Sequence, residues 1–115
     1  METILQDELY CVAYDAVSGT IELKGTLRLN GTEEYAPVVA VLHRALDAHR
    51  AVTLNLAGLD FLNSSGIATL SRFVIEARNR GGIALTIRGS RQIAWQGKSL
   101  INLQRLMPAL VMEFT

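Results

Sequence analysis

The chain has 115 residues, half of them hydrophobic, and no net charge, so it is long enough for one domain with its own core and too short for two. Its single cysteine, Cys11, excludes an internal disulfide, and no cysteine–histidine cluster has the spacing of a zinc site, so the sequence predicts neither a metal nor a cofactor. No apolar run approaches the roughly 20 residues of a membrane span. The acidic start of the chain is unlike a secretory signal and favours the cytoplasm.

The charges are unevenly distributed along the chain. Residues 1–60 contain nine acids and four bases, whereas residues 61–115 contain two acids and seven bases. We expect the two halves to interleave in one small domain, which would average the charge over the surface. The alternative is a polarised surface that steers an oppositely charged protein partner. The bases are scattered rather than clustered with aromatic residues, so the sequence does not predict nucleic-acid binding.

Two paired strands open the predicted fold. Residues 20–29 alternate strictly between apolar and polar side chains, as expected for a strand with one buried face. Leu9 to Asp15 is rich in β-forming residues, and Val17-Ser18-Gly19 connects the two segments. The sequence therefore predicts an antiparallel hairpin.

A first helix follows the hairpin. Apolar residues recur at helical spacing from Val38 to His49. Proline is tolerated only in the first turn of a helix, so we expect the regular part to begin between Tyr35 and Pro37. His43 and His49 have no catalytic or metal-binding partner in the sequence, and we interpret them as surface or edge residues of this helix.

The middle of the chain has the pattern of a β-α-β unit with parallel strands. Val52 to Leu56 is a short apolar strand, the apolar face of a helix extends from Ile67 to Arg80, and a second strand covers 83–87. Arg72 and Glu76 lie four residues apart on the outer face of this helix, which predicts a solvated ion pair of little energetic value.

The last elements complete an α/β pattern. After a polar loop over 89–97, apolar spacing between Leu100 and Met107 predicts a third helix that ends at Pro108, and 110–114 predicts a final strand. The order β-β-α-β-α-β-α-β is typical of a single α/β domain, here 1–115, with a mixed, mostly parallel sheet covered by helices.

The segment Asn63-Ser64-Ser65-Gly66 stands at the start of the second predicted helix. A helix start presents unpaired N–H groups and the positive end of the helix dipole, so it needs a capping side chain or favours an anion. Asn and Ser are among the best N-caps, which makes capping one interpretation. A serine nucleophile would need a base, and the patterns G-x-S-x-G and G-x-x-x-x-G-K-[ST] are absent, so we predict that the chain is not an enzyme.

The context of this corner resembles the STAS family, the anti-sigma-factor antagonists. The resemblance lies in an aliphatic strand, then Gly-Leu-Asp-Phe-Leu, then Asn-Ser-Ser-Gly-Ile, then an amphipathic helix ending in Arg-Asn-Arg-Gly-Gly. Residues 21–27 also resemble the family's early strand with its Gly-x-Leu signature. The resemblance implies a bacterial switch protein in a partner-switching pathway that regulates transcription. Such a protein binds an anti-sigma-factor-type serine kinase, is released when phosphorylated, and is restored by a serine phosphatase.

Carried over by motif, the resemblance assigns the phosphoacceptor to Ser64, with Ser65 as the second candidate and Gly66 as the small residue that admits close backbone approach. The implied partner-binding surface comprises the whole corner and three charged residues. Its members are Asn63, Ser64, Ser65, Gly66, Arg28, Arg72 and Glu76.

Two residues depart from the family pattern. Asn63 replaces the aspartate that usually precedes the serine pair, and Arg28 replaces an acid that often follows the Gly-x-Leu signature. These changes fit a switch in which Arg28 pairs with a phosphate, and they fit equally a binding module that has lost phosphorylation. A different class, a module that binds a small anion or lipid at the helix N-terminus, is also compatible with the corner.

Overall fold

The computed structural model describes residues 1–115 as seven strands and three α-helices, with a 3₁₀ helix after the third. The elements in chain order are β1 (Glu2–Gln6), β2 (Tyr10–Asp15), β3 (Thr20–Leu27), α1 (Gly31–Ala48), β4 (Ala51–Asn55), β5 (Leu59–Leu62), α2 (Ser64–Arg80), β6 (Ala84–Gly89), α3 (Ala94–Ser99), the 3₁₀ helix (Leu100–Arg105) and β7 (Val111–Phe114).

All seven strands form one mixed sheet, in the order β1-β2-β3-β4-β6-β7, with β5 paired to β3. The β1–β2 and β2–β3 pairs are antiparallel, and the other four pairs are parallel. This arrangement confirms the predicted hairpin, the predicted β-α-β unit and the predicted class of a single α/β domain with a mostly parallel sheet. No helix is long and apolar enough to cross a membrane.

The helices cover one face of the sheet. Alternate residues of the central strands are buried there, for example Leu54 of β4 and Ile87 of β6, which are also register partners. The opposite face carries polar side chains such as Glu22, which forms an ion pair with Lys24 and accepts a hydrogen bond from Asn55. The core therefore lies between the sheet and the helix layer.

β4 and β5 both run along β3. The first residues of β3 pair with β4, and its last residues, Gly25 to Leu27, pair with β5. The break between β4 and β5 is braced by the fully buried Gln96 of α3, whose Nε2 donates to the carbonyls of Leu56 and Leu59 at 2.7 and 3.0 Å. A buried carbonyl needs a hydrogen-bond partner, so the side chain of Gln96 holds the backbone at Leu56 and Leu59 in place. These bonds thereby position the start of β5 and its connection to α2.

Four predictions about secondary structure were wrong, and the first three concern β1, β5 and the last helix. β1 and β5 were not expected; both are short, and the half-buried side chains of β1 lie at the edge of the sheet, where the period-2 signal is weak. The last helical region begins at Ala94 rather than Leu100 and continues from 100 to 105 as a 3₁₀ helix.

The first helix starts earlier than predicted, at Gly31, so Pro37 is its seventh residue. The proline removes a hydrogen bond to the carbonyl of Glu33, but that residue lies in the exposed first turn, where water can replace the bond. Asn30 is the N-cap, and its backbone N–H donates to Oε1 of Glu34 at 3.0 Å, which supports the early start.

The charges do not interleave as we expected. The strand order nearly follows the chain order, so residues 1–30, with a net charge of −3, form one edge of the sheet, and residues 81–115, with a net charge of +3, form the other. In the sheet, β4 lies between these two segments, so their opposite net charges lie on different sides of it. The surface is therefore polarised.

Candidate functional site

The corner between β5 and α2 is capped by Asn63. Its side-chain Oδ1 accepts a hydrogen bond from the backbone N–H of Gly66 at 2.9 Å, and its carbonyl accepts one from Ile67, also at 2.9 Å. The bond from Gly66 satisfies one of the N–H groups that a helix start leaves unpaired, and the bond from Ile67 is the first i→i−4 hydrogen bond of α2. Capping is thus performed by Asn63 and not by either serine.

Asn63 also ties the corner to the rest of the domain. The hydroxyl of Tyr35, on α1, donates to Oδ1 of Asn63 at 2.7 Å, and Nδ2 of Asn63 donates to the carbonyl of Leu29 at 2.8 Å. An aspartate at this position has no N–H to give to Leu29 and would place a carboxylate oxygen against a carbonyl oxygen. The departure from the family's aspartate therefore has a structural reason in this chain.

Tyr35 is a site residue that the sequence did not indicate. Its side chain is buried, and that burial raises the pKa of its hydroxyl above the ordinary value of 10.0. The phenol therefore stays protonated and available as a donor at neutral pH. Tyr35 and Asn63 are 28 positions apart, so no local pattern signals their contact.

Ser65 is held by hydrogen bonds. Its Oγ accepts from the backbone N–H of Gly31 at 3.3 Å, and its carbonyl accepts from Oγ1 of Thr69 at 2.8 Å. Gly31 is the first residue of α1, so the N-terminal ends of α1 and α2 meet at this hydroxyl. Ser65 is accordingly part of the helix–helix contact.

Ser64 is the free hydroxyl of the corner. It is the first residue of α2, its side chain is exposed, and its Oγ makes no hydrogen bond within the protein, in contrast to Ser65. The backbone N–H groups of Ser64 and Ser65 also have no acceptor in the protein, as expected at the first two positions of a helix. The corner therefore presents an accessible hydroxyl beside two free donors.

Gly66 is required by space. A Cβ at this position would overlap the side chain of Leu62 and would lie 2.7 Å from the hydroxyl of Tyr35. Both neighbours are buried, so neither can move away freely. The packing of Leu62 and Tyr35 therefore requires a glycine here, and the close backbone approach that the resemblance implied for Gly66 stays a prediction.

Arg28 lies alongside the corner without an acidic partner. It follows the last residue of β3, whose register pairs Leu27 with Leu62, and its guanidinium carbon lies 4.8 Å from the centroid of the Phe61 ring. No carboxylate is within ion-pair distance of Arg28. The structure thus stacks Arg28 on β5 and leaves its charge uncompensated.

Arg72 and Glu76 do not form the ion pair that was predicted. Glu76 accepts from Nε of Arg80 at 3.2 Å, and Arg80 also donates to Asp47 of α1 at 2.6 Å, a contact that raises the pKa of Arg80. Arg72 donates only to Oγ1 of Thr69, at 3.4 Å. The prediction was wrong because Arg80 bridges α1 and α2, which draws Glu76 away from Arg72.

The two histidines lie apart from the serines. Nε2 of His49 is 3.1 Å from the hydroxyl of Tyr14, at the C-terminal end of α1, whereas Ser64 lies by the N-terminal end of that helix. His43 is exposed on α1 and makes no hydrogen bond to Ser64. No group of three His, Cys, Asp or Glu side chains is close enough to hold a metal ion.

The surface at the corner is not concave. Three cavities are present, and residues 63–66 line none of them. Small-molecule sites are usually clefts that bury most of their ligand. A ligand at the corner would therefore lie on the open surface and not in one of these cavities.

Taken together, these observations describe a single α/β domain with a mostly parallel sheet and an exposed serine at the start of its second helix. Similar solved structures are those of SiaC from Pseudomonas aeruginosa. A crystal structure of diguanylate cyclase SiaD in complex with its activator SiaC matches with a TM-score of 0.72 and 16% identity, over 100% of both chains. Apo-SiaC matches with a TM-score of 0.72 and 15% identity, over 100% of this chain and 99% of that one. At these identities the likeness shows a shared fold. No protein-family model and no curated protein matches the chain.

Proposed function

We propose that this chain is a regulatory protein-interaction module, similar to an anti-sigma-factor antagonist, that binds its partner through the corner at 63–66 and is switched by phosphorylation of Ser64. The observation that carries the proposal is the contrast between the two serines. The Ser64 hydroxyl is exposed and unbonded, whereas that of Ser65 is held by Gly31. A kinase can therefore reach Ser64 without breaking a contact of the fold.

The domain itself would tolerate the phosphate. Phosphorylation adds about 1.5 to 2 negative charges at neutral pH. At Ser64 these charges would lie beside the free N–H groups of Ser64 and Ser65 and at the positive end of the α2 dipole. The uncompensated guanidinium of Arg28, alongside the same corner, is a further source of positive charge.

A partner pressed against the corner would be affected much more strongly. In the unphosphorylated state the partner meets a small neutral hydroxyl. After phosphorylation the same interface has to accommodate a doubly charged group, and burying such a charge without a partner costs several kcal/mol. Since about 1.4 kcal/mol changes an affinity tenfold, the modification suffices to release the partner.

The partner in this proposal is a cytoplasmic serine kinase of the anti-sigma-factor type, which binds the unphosphorylated chain and transfers a phosphoryl group to Ser64. A serine phosphatase removes the group and resets the switch. The SiaC structures support the general arrangement, because SiaC has the same fold and is described as the activator of an enzyme with which it forms a complex. The polarised surface, −3 at one edge and +3 at the other, supports steering by an oppositely charged partner.

Paired substitutions at Ser64 test the proposal. The wild-type protein and the variants Ser64→Ala and Ser64→Asp are used to capture partners from the native cell, and the bound proteins are quantified. We expect one kinase-like protein to bind wild type and Ser64→Ala and to be lost from Ser64→Asp. The matched control is Ser18→Asp in the exposed β2–β3 turn, which should capture the same protein as wild type. Equal capture by all four proteins would contradict the proposal.

A further inference from the structure

A groove separates α1 from α2 and has a volume of about 250 Å³. This volume is below the range of about 300 to 1,000 Å³ that is usual for small-molecule pockets, so the groove fits a single large side chain better than a cofactor. Its lining residues are Val39, Leu42, His43, Thr69, Arg72, Phe73 and Glu76.

The groove lies about one helical turn from the candidate site, at Thr69. Ser65, Thr69, Arg72 and Glu76 are spaced four, three and four residues apart, so they share the face of α2 that is turned towards α1. Ser65 contacts the first residue of α1, and Thr69 bonds back to the Ser65 carbonyl. A segment that binds in the groove would therefore lie next to Ser64.

The floor of the groove is apolar. Leu42 of α1 and Phe73 of α2 are almost fully buried beneath it, and Val39 contributes a half-buried wall. An apolar side chain inserted here would leave water and gain contacts with both helices. Insertion of one anchor residue into a pocket of this kind is a common way for interfaces to concentrate binding energy.

The rim of the groove has one cation available for a partner. The charge of Glu76 is already engaged by Arg80, which also pairs with Asp47. Arg72 has no carboxylate within ion-pair distance, and its guanidinium makes only the 3.4 Å contact with Thr69. The groove is therefore complementary to a carboxylate rather than to a cation.

We propose that the α1–α2 groove docks an acidic amphipathic segment of the partner protein, which inserts one large apolar side chain above Leu42 and Phe73 and pairs an Asp or Glu with Arg72. This inference rests on the proposed function, because it assumes that the docked partner is the protein released by phosphorylation of Ser64. It adds the chemistry by which that partner is recognised.

Selection from a library of short random peptides displayed on phage tests this inference. The library is selected on the unphosphorylated full chain alone, without depletion on any variant. We expect the selected peptides to combine Leu, Phe or Trp with Asp or Glu. Synthetic copies should lose at least about tenfold in affinity on Arg72→Glu, the loss expected when an interface charge pair is reversed. The peptides should lose a similar factor in affinity on Val39→Trp, because the larger side chain fills the groove. Arg91→Glu is the control: Arg91 is exposed and lies outside the groove, so the peptides should bind this variant as tightly as wild type.

A charge exchange completes the test. Replacing the acidic residue of a selected peptide by Lys should abolish binding to wild type and restore it to Arg72→Glu. The inference would be overturned if the selected peptides lack an acidic residue, or if they bind Arg72→Glu and Val39→Trp as tightly as wild type. Failure to select any binding peptide would overturn it too. All measurements use unphosphorylated protein, so they are independent of the switch: groove binding with no effect of Ser64→Asp on partner capture would reject the switch and retain the groove.

Discussion

The hydroxyl of Tyr35 donates a 2.7 Å hydrogen bond to Oδ1 of Asn63, the residue that caps α2. Through this bond the buried face of α1 holds the cap of α2, and the same Oδ1 also accepts from Gly66 at 2.9 Å. The start of α2 is therefore fixed by a residue of another helix. A fixed backbone at this point is what leaves Ser64 exposed while Ser65 is bound.

Replacing Tyr35 by Phe should lower the free energy of unfolding by about 1 to 2 kcal/mol at neutral pH, because it removes a buried hydrogen bond while keeping the ring. Burial raises the pKa of Tyr35, so its contribution to stability is complete below the ordinary value of 10.0 and is lost as the pH rises towards the raised pKa. The difference between wild type and Tyr35→Phe should therefore narrow above about pH 10 in urea unfolding. A difference that widens with pH would contradict this assignment.

Replacing Asn63 by Asp should destabilise the domain by about 1 to 3 kcal/mol, even though Asp is as good an N-cap as Asn. The loss arises because the carboxylate cannot donate to the Leu29 carbonyl, 2.8 Å from Nδ2 in the wild type. Urea unfolding measures the effect, with Asn102→Asp, at an exposed position of the 3₁₀ helix, as the control, expected to stay within about 0.5 kcal/mol of wild type. Equal stability of Asn63→Asp and wild type would show that the Leu29 contact is unimportant.

Gly66→Ala should cost about 1 to 3 kcal/mol, the usual penalty for adding a methyl group to a filled space, because the new Cβ meets Leu62 and the hydroxyl of Tyr35. Gly97→Ala is the matched control. Gly97 lies in α3 with no atom within 4 Å of its added Cβ, and its φ is not positive, so this variant should be neutral or more stable by up to about 1 kcal/mol. Thermal unfolding of the two variants distinguishes the sites, and a Gly66→Ala variant as stable as Gly97→Ala would contradict the packing described.

The two serines should differ in their effect on stability. Ser65→Ala removes the acceptor for the Gly31 N–H and should cost about 0.5 to 1.5 kcal/mol. Ser64→Ala removes no bond and should change stability by less than about 0.5 kcal/mol. Ser64→Asp should stabilise by about 0.3 to 1 kcal/mol, because it adds a negative charge at the N-terminal end of α2. The ranking is measured by urea unfolding, and it is contradicted if Ser64→Ala is the more damaging alanine substitution.

Much of the fold could be predicted because its signals are local. The strict alternation in β3 identified a strand with one buried face, and the apolar spacing of α2 identified a helix that packs on a sheet. The predicted start of α1 was too late because the prediction relied on Pro37 and not on Asn30 and the acidic residues that follow it. Asn30 followed three residues later by Glu33 is a recognisable N-terminal signal, and in the structure it is the next residue, Glu34, that bonds the N–H of Asn30, at 3.0 Å.

The candidate site was predicted only in part, since its decisive contacts are not local. The sequence placed 63–66 at a helix start but left open whether the serines are caps. The bonds that answer this join the corner to Tyr35, to Gly31 and to the carbonyl of Leu29 between β3 and α1, all about thirty residues away. The failure of Arg72 and Glu76 to pair has the same origin, because Arg80 engages Glu76 while it bridges to Asp47 on α1.

Site-resolved mass spectrometry of the protein recovered from its native cell tests the central proposal most directly. The proposal predicts a phosphate on Ser64 whose occupancy changes with growth conditions, since this hydroxyl is exposed and unbonded. It predicts little or none on Ser65, whose Oγ accepts from Gly31. The absence of phosphate from Ser64 under every condition, or a phosphate confined to Ser65, would contradict it.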